Sequence, residues 1–218
     1  MFDAISELLN TSEPQASECH NWIVNNNGSY EAYSPEEEDI SEKPYRLYRF
    51  LTEVEDILED IADDYQRLKA IIPLVRKLLN SSYWLQLEYD PPSPDLGWSV
   101  KMLYQEPNYP ITIQTVAWLP NHPSPIHNHA AWGIVAVIQG QEKNRFWRRN
   151  PTSEHPDQIE LKDEKILVPG DIISFMPDAI HSIETIGDEP TVTFNIYGAT
   201  DFSQRYEFDP LTHTARNF

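Results

Sequence analysis

The chain has 218 residues, 40% of them hydrophobic and 11% aromatic, and a net charge of −19, so it can bury a core and is too apolar for a disordered chain. Residues 1–64 hold 17 acids against 3 bases (−14), while residues 65–218 hold 18 against 13 (−5). A surface of that sign repels phosphate and disfavours both nucleic acid and an anionic membrane as partners.

Residues 1–45, with "NNNGSYEAYSPEEEDISEKP", are polar, acidic and aperiodic, and read as an irregular lead-in. The start "MFDAISELLN" lacks the basic flank and apolar core of an export signal, and Cys19 is the only cysteine, which permits no internal disulfide. The expectation is a cytoplasmic protein, its oligomeric state left open. Residues 46–96 then carry helical periodicity. Leu51, Val54, Leu58 and Ile61 form one apolar stripe, and Leu68, Ile71, Ile72, Val75, Leu78 and Leu79 form a second. Thr52 with Glu55 fits a capping box, the "DD" at 63–64 suits a break between two helices, and Pro73 predicts a kink or a helix start near "IIP".

From residue 97 the period falls to two. "ITIQTVAWL", "WGIVAVIQG", "QEKNRFWRR", "QIELKDEKILV", "DIISFM", "HSIETIG" and "TVTFNIYG" are short strand-like runs separated by turn residues. So many strands without intervening helices predict a sandwich or barrel over 97–218, with the helices as an N-terminal cap.

The chemistry concentrates in "PSPIHNHAAWGIVAVIQG" at 123–140. On a strand, residues i and i+2 share a face, so His127 and His129 can chelate one ion while Asn128 turns away. A third ligand has to come from another segment, and His181, at the head of "HSIETIG" after a Gly-Asp turn and a proline turn, is the candidate. His122 reads as a loop residue, and His20, His155 and His213 as exposed.

"PIHNHAAWGIVAVIQG" followed by "PGDIISFMPDAIHSI" resembles the two motifs of the cupin superfamily. The resemblance implies a mainly β fold, a double-stranded β-helix, with a metal held between the motifs. Many cupins carry a glutamate a few residues after the His-x-His pair, where this chain has Gly133. Loss of that carboxylate, with a Trp-Gly after the pair, is similar to the bacterial thiol dioxygenases of the cysteine and 3-mercaptopropionate group. Those relatives imply Fe(2+) on His127, His129 and His181, with a small thiol and O2 as reactants. They also carry Ser-x-His-x-Tyr on a later strand. Tyr197 matches the tyrosine and Thr193 can replace the serine, while Asn195 stands where the histidine would be and cannot relay a proton by titrating. Arg205, in "QRYEFDP", resembles the arginine that binds the carboxylate in the mercaptopropionate enzymes; Lys101 stands where the cysteine enzymes have theirs.

Physical chemistry favours the same subgroup. Three neutral imidazoles leave the full +2 on a divalent ion, which favours an anionic ligand such as a thiolate. Imidazole suits zinc, copper and nickel nearly as well as iron, so a cupin of other chemistry, or a non-catalytic metal- or small-molecule-binding cupin, remains the alternative.

Overall fold

The computed structural model describes residues 20–35 and 44–218. Two helices, α1 (Leu47–Asp60) and α2 (Asp64–Ser81), and a 3-10 turn (Tyr83–Leu87) accompany thirteen strands. These are β1 (Asn21–Val24), β2 (Tyr30–Ala32), β3 (Trp98–Gln105), β4 (Ile111–Trp118), β5 (Ile126–His127), β6 (Gly133–Gln139), β7 (Gln141–Arg149), β8 (Ile159–Leu167), β9 (Ile172–Phe175), β10 (Ile180–Ile186), β11 (Thr191–Gly198), β12 (Tyr206–Asp209) and β13 (Thr214–Asn217). Among the described residues no helix is long and apolar enough to cross a membrane.

The strands form two sheets, in the orders β2-β1-β9-β6-β11-β4-β3 and β13-β12-β5-β10-β7-β8. Strands β4 to β11 make the kernel. Apart from the β7–β8 hairpin, each successive strand crosses to the opposite sheet, giving β9-β6-β11-β4 facing β5-β10-β7-β8. That is the connectivity of a jelly roll, the double-stranded β-helix. A single residue, Gly140 at φ +75°, turns the chain from β6 into β7. A Cβ there would lie 2.6 Å from Thr191 Oγ1 and 2.8 Å from Pro190 O, so glycine alone fits this corner.

The first sheet is buried on both sides. Ile111, Ile113, Ile134, Ala136, Phe194 and Ile196 share a core with Phe50 and Val54 of α1 and Leu68, Ile71, Ile72, Val75 and Leu78 of α2. Val135, Val137, Ile173 and Phe175 point the other way, into the barrel against Phe146 and Leu167 of the second sheet. This double burial explains why "GIVAV" reads as an unbroken apolar run. The helices therefore cover the outer face of the first sheet.

Three details depart from the sequence reading. Within the span read as an irregular lead-in, Trp22–Val24 pair in parallel with Ile173–Phe175, and a hairpin through Gly28 (φ +76°) returns as β2. The Asn-rich stretch is the turn of that hairpin, and the apolar Trp-Ile-Val run before it is the strand. Cys19 and the acidic cluster at 36–43 lie outside the described residues. Thr52 caps nothing: it sits inside α1 and donates to Tyr48 O (3.1 Å), because the apolar spacing already starts with Leu47 and Phe50. The cap that forms is Asp63, which accepts from Gln66 N at 2.9 Å and starts α2 at the anticipated break.

Pro73 lies inside α2, which continues through it. Proline has no N–H to give to the carbonyl four residues back, that of Lys69. The Tyr33 hydroxyl donates to this carbonyl at 3.1 Å and replaces the missing bond. Tyr33→Phe is therefore expected to cost about 1 kcal/mol, measured by urea unfolding, and the loss should shrink in a Pro73→Ala background.

Candidate metal centre

The site is built from one end of the barrel. His127 sits in β5, paired directly opposite His181 of β10. The chain then leaves the strand through Ala130, which adopts φ +50°, a conformation non-glycine residues rarely hold. Ala130 is fixed there by its N–H to Pro177 O and by its carbonyl accepting from Asp201 N, both 3.0 Å. This tight turn carries the chain from the first sheet's partner back into β6 directly after His129.

The three rings converge. One ring nitrogen from each of His127, His129 and His181 lies within 4.8 Å of the other two, and no other such cluster of His, Cys, Asp or Glu occurs among the described residues. His129 Nε2 and His181 Nε2 are 3.0 Å apart. His127 Nδ1 lies 3.0 Å from Pro125 O, and a hydrogen bond to that carbonyl turns Nε2 toward the cluster. Burial holds all three imidazoles below the usual histidine range, and for His129 and His181 repulsion between the rings lowers them further. Neutral rings present lone pairs, so the donor set fits a divalent transition metal.

The position where many cupins place a glutamate is closed sterically. A Cβ on Gly133 would lie 2.8 Å from the ring of Tyr197, which faces Gly133 across the β11–β6 ladder. Tyr197 occupies the space a longer side chain would need, its ring centroid 4.6 Å from that of His129. Burial raises the Tyr197 hydroxyl well above its usual range, so it stays protonated. It donates to Asn195 Oδ1 at 3.2 Å, and Asn195 Nδ2 donates to Thr193 Oγ1 at 2.9 Å. The three residues singled out on one strand face thus form a continuous polar chain inside the barrel.

Arg205 also faces the centre: burial lowers its guanidinium from the usual arginine range, and its charge in turn lowers the His127 and His129 imidazoles. Its buried Nε has no hydrogen-bond partner. The neighbouring acids are otherwise engaged, Glu207 with Arg216 Nη2 at 2.6 Å and Asp209 with the N–H groups of Leu211 and Thr212. The guanidinium lies over the Phe218 ring, 4.4 Å from its centroid, and that ring stands edge-on to His127 at 6.2 Å. Lys101, by contrast, is paired with Glu88. His122 packs beside Trp118, His20 lies 3.6 Å from Asp171, and His155 stacks on His213, all apart from the cluster.

Three contributors went unnoticed in the sequence. Asn128, between the two histidines, is buried and brackets Arg205: its Nδ2 donates to Gln204 O (2.9 Å) and its Oδ1 accepts from Tyr206 N (2.7 Å). Asn128→Ala leaves two backbone groups without partners and is expected to cost about 2 kcal/mol, read from denaturant unfolding. The others are Asn144 and Glu142 on β7, which lie behind His181, fully enclosed at 0% and 2% exposure. Burial pushes the Glu142 carboxyl up to about 7, against a lowering contribution from Asn144. The alternation Glu142, Asn144, Phe146 matches the inward face of β7 and could have exposed both.

No protein-family model matches the sequence. Among solved structures, the chain is similar to an oxalate oxidase in complex with glycolate (13% identity, TM-score 0.36, covering 49% of this chain and 53% of that one). It is similar to a DMSP lyase from Ruegeria pomeroyi (17% identity, TM-score 0.39, 49% and 50% covered). A third is an uncharacterized conserved protein with a double-stranded β-helix domain from Klebsiella pneumoniae (16% identity, TM-score 0.41, 53% and 83% covered). The match spans about half the length of the oxalate oxidase chain. The chain's own strand order and its histidine cluster together describe a double-stranded β-helix with a possible three-histidine metal site at one end of the barrel.

Proposed function

We propose that this chain is a non-haem iron(II) thiol dioxygenase, converting a small carboxylate-bearing thiol of the 3-mercaptopropionate or cysteine type to its sulfinate. The observation that carries the reading is the pairing of an all-imidazole donor set with Arg205, a half-buried guanidinium whose Nε is unpartnered beside it. A metal with no carboxylate ligand retains its full charge and favours a thiolate. A guanidinium fork is the group best matched to the substrate's carboxylate.

The reaction balances on its own reactants: the thiol proton leaves, two S–O bonds form, the O–O bond breaks, and sulfur loses the four electrons that dioxygen gains. His127, His129 and His181 would hold iron(II), which would supply open coordination positions and one-electron chemistry. Arg205 holds the carboxylate and so fixes where the sulfur lies. Tyr197, protonated beside His129, gives its one hydroxyl proton to Asn195 Oδ1, and rotating that O–H away from the amide would turn it toward a substrate oxygen atom. Phe218 and Phe175 add apolar walls beside the histidines.

The test is oxygen uptake by iron(II)-loaded protein with 3-mercaptopropionate, cysteine and cysteamine, with sulfinate quantified alongside. Uptake matched by sulfinate is expected for the carboxylate-bearing thiols. Iron-replete protein that takes up no oxygen with any of them would falsify the assignment. One observation favours a second reading, a metal- and thiol-binding module without turnover: Asn195 closes the Tyr197–Thr193 chain with an amide that cannot titrate. That reading expects saturable thiol binding without oxygen consumption.

A further inference from the structure

The histidine cluster has no carboxylate of its own, yet a carboxyl group is buried one residue behind it. Glu142 and Asn144 point into the barrel from β7, and both are sealed from solvent. Asn144 Nδ2 donates to Glu142 Oε1 at 2.8 Å, while Asn144 Oδ1 meets His181 Nδ1 at 3.3 Å. The direction of this chain has a chemical cause. In its ionised form Glu142 only accepts hydrogen bonds, so the amide group facing it is then the NH2, as the 2.8 Å contact from Asn144 Nδ2 has it. The amide oxygen then faces His181, and because an oxygen acceptor demands a donor, His181 Nδ1 carries the ring proton. The lone pair is left on Nε2, the atom that stands 3.0 Å from His129 Nε2.

We propose that Glu142 is a positioning residue that sets the tautomer of His181 through Asn144, and so keeps the Nε2 lone pair turned toward the metal. The comparison with His127 shows why such a device is needed. His127 Nδ1 faces the carbonyl of Pro125, an oxygen that cannot exchange places with a donor. The Asn144 amide can rotate half a turn and present NH2 to His181, which would favour the proton on Nε2 and block the ligand. Glu142 removes that option. The inference rests on the three-histidine metal reading and is independent of thiol oxidation.

The experiment uses the full chain, metal-free, labelled with nitrogen-15, in mildly alkaline buffer where the carboxyl group is ionised. Long-range proton–nitrogen correlation reads the His181 tautomer, and competition with a chelator reads zinc affinity. The parent is expected to show only the Nδ1–H tautomer. Glu142→Gln is isosteric and can turn either its oxygen or its NH2 toward Asn144, so it should populate both tautomers and bind zinc about 10-fold or more weakly, within the range seen for partners of metal ligands. Asn144→Leu should shift both readouts the same way. A parent with the proton on Nε2, or a Glu142→Gln protein with the Nδ1–H tautomer intact, overturns the proposal. Weakened zinc binding without a tautomer change also overturns it, since packing alone would explain that. A parent with the expected tautomer and no zinc affinity would instead sink the metal reading.

Discussion

His181→Ala is expected to lower metal affinity by more than about 100-fold, because replacing a mere partner of a metal ligand already costs about 10–100-fold. Two side chains would remain, both from one short segment, and neither can substitute for a nitrogen delivered by the opposite strand. The readout is chelator competition, supported by thermal unfolding: metal should raise the melting temperature of the parent and leave the variant nearly unmoved, since only ligand bound to the native state stabilises it. His122→Ala is the control. Its ring packs beside Trp118 and against Gly97, away from the cluster, so metal binding should be unchanged.

The metal-free variant carries a second signature. Burial lowers the folded-state pKa of all three histidines below the ordinary value of 6.5. Across the window below that value the unfolded chain binds protons the folded chain refuses, so stability falls as the pH falls and is fully present above it. Glu142 acts in the opposite sense. Its carboxyl is raised to about 7, so its contribution is present below the ordinary carboxyl range and fades as the pH rises through neutrality. The informative quantity is therefore the difference between parent and variant. Removing the His181 ring should flatten the acid side of the profile and leave the alkaline side in place.

How much of this was legible in the sequence depended on whether a residue's role is set by local spacing or by a partner far along the chain. His127 and His129 are visible because period two puts them on one face, and the structure joins them to His181 across a ladder the turn residues anticipate. Tyr197, Asn195 and Thr193 follow the same rule and do form one polar chain. Asn128 was passed over for the same reason that the histidines were found: it points the other way along the strand, and its function lies 76 residues downstream, at Gln204. Glu142 sits among Gln141, Lys143 and Arg145, whose polarity masks it. Its one available signal was the shared face with Asn144 and Phe146, the positions of β7 that turn inward. The hairpin at Trp22–Ala32 was hidden by the acidic segments around it, where composition outweighed a short apolar run. Gly133 was legible as a missing carboxylate, but not as the space that Tyr197 fills.

The largest functional effect should come from Arg205. Its Nε is buried without a partner, Glu207 is held by Arg216, and Asn128 clamps the backbone on both sides. A cation without a carboxylate partner among the described residues, held beside the histidine cluster, is costly to the fold unless an anion arrives to match it. Removing one member of a desolvated charge pair typically costs about 2–5 kcal/mol, so Arg205→Ala should lower kcat/KM for 3-mercaptopropionate by roughly 30- to 5000-fold. Most of the loss should appear in KM if the carboxylate contact is equally strong in the ground and transition states. Arg205→Lys should recover part of it, keeping the charge while losing the planar fork and its stacking on Phe218. Cysteamine, which has no carboxylate, supplies the decisive comparison. Its turnover, however slow, should be alike in parent and Arg205→Ala, whereas a purely structural arginine would depress both thiols together and lower the melting temperature with them.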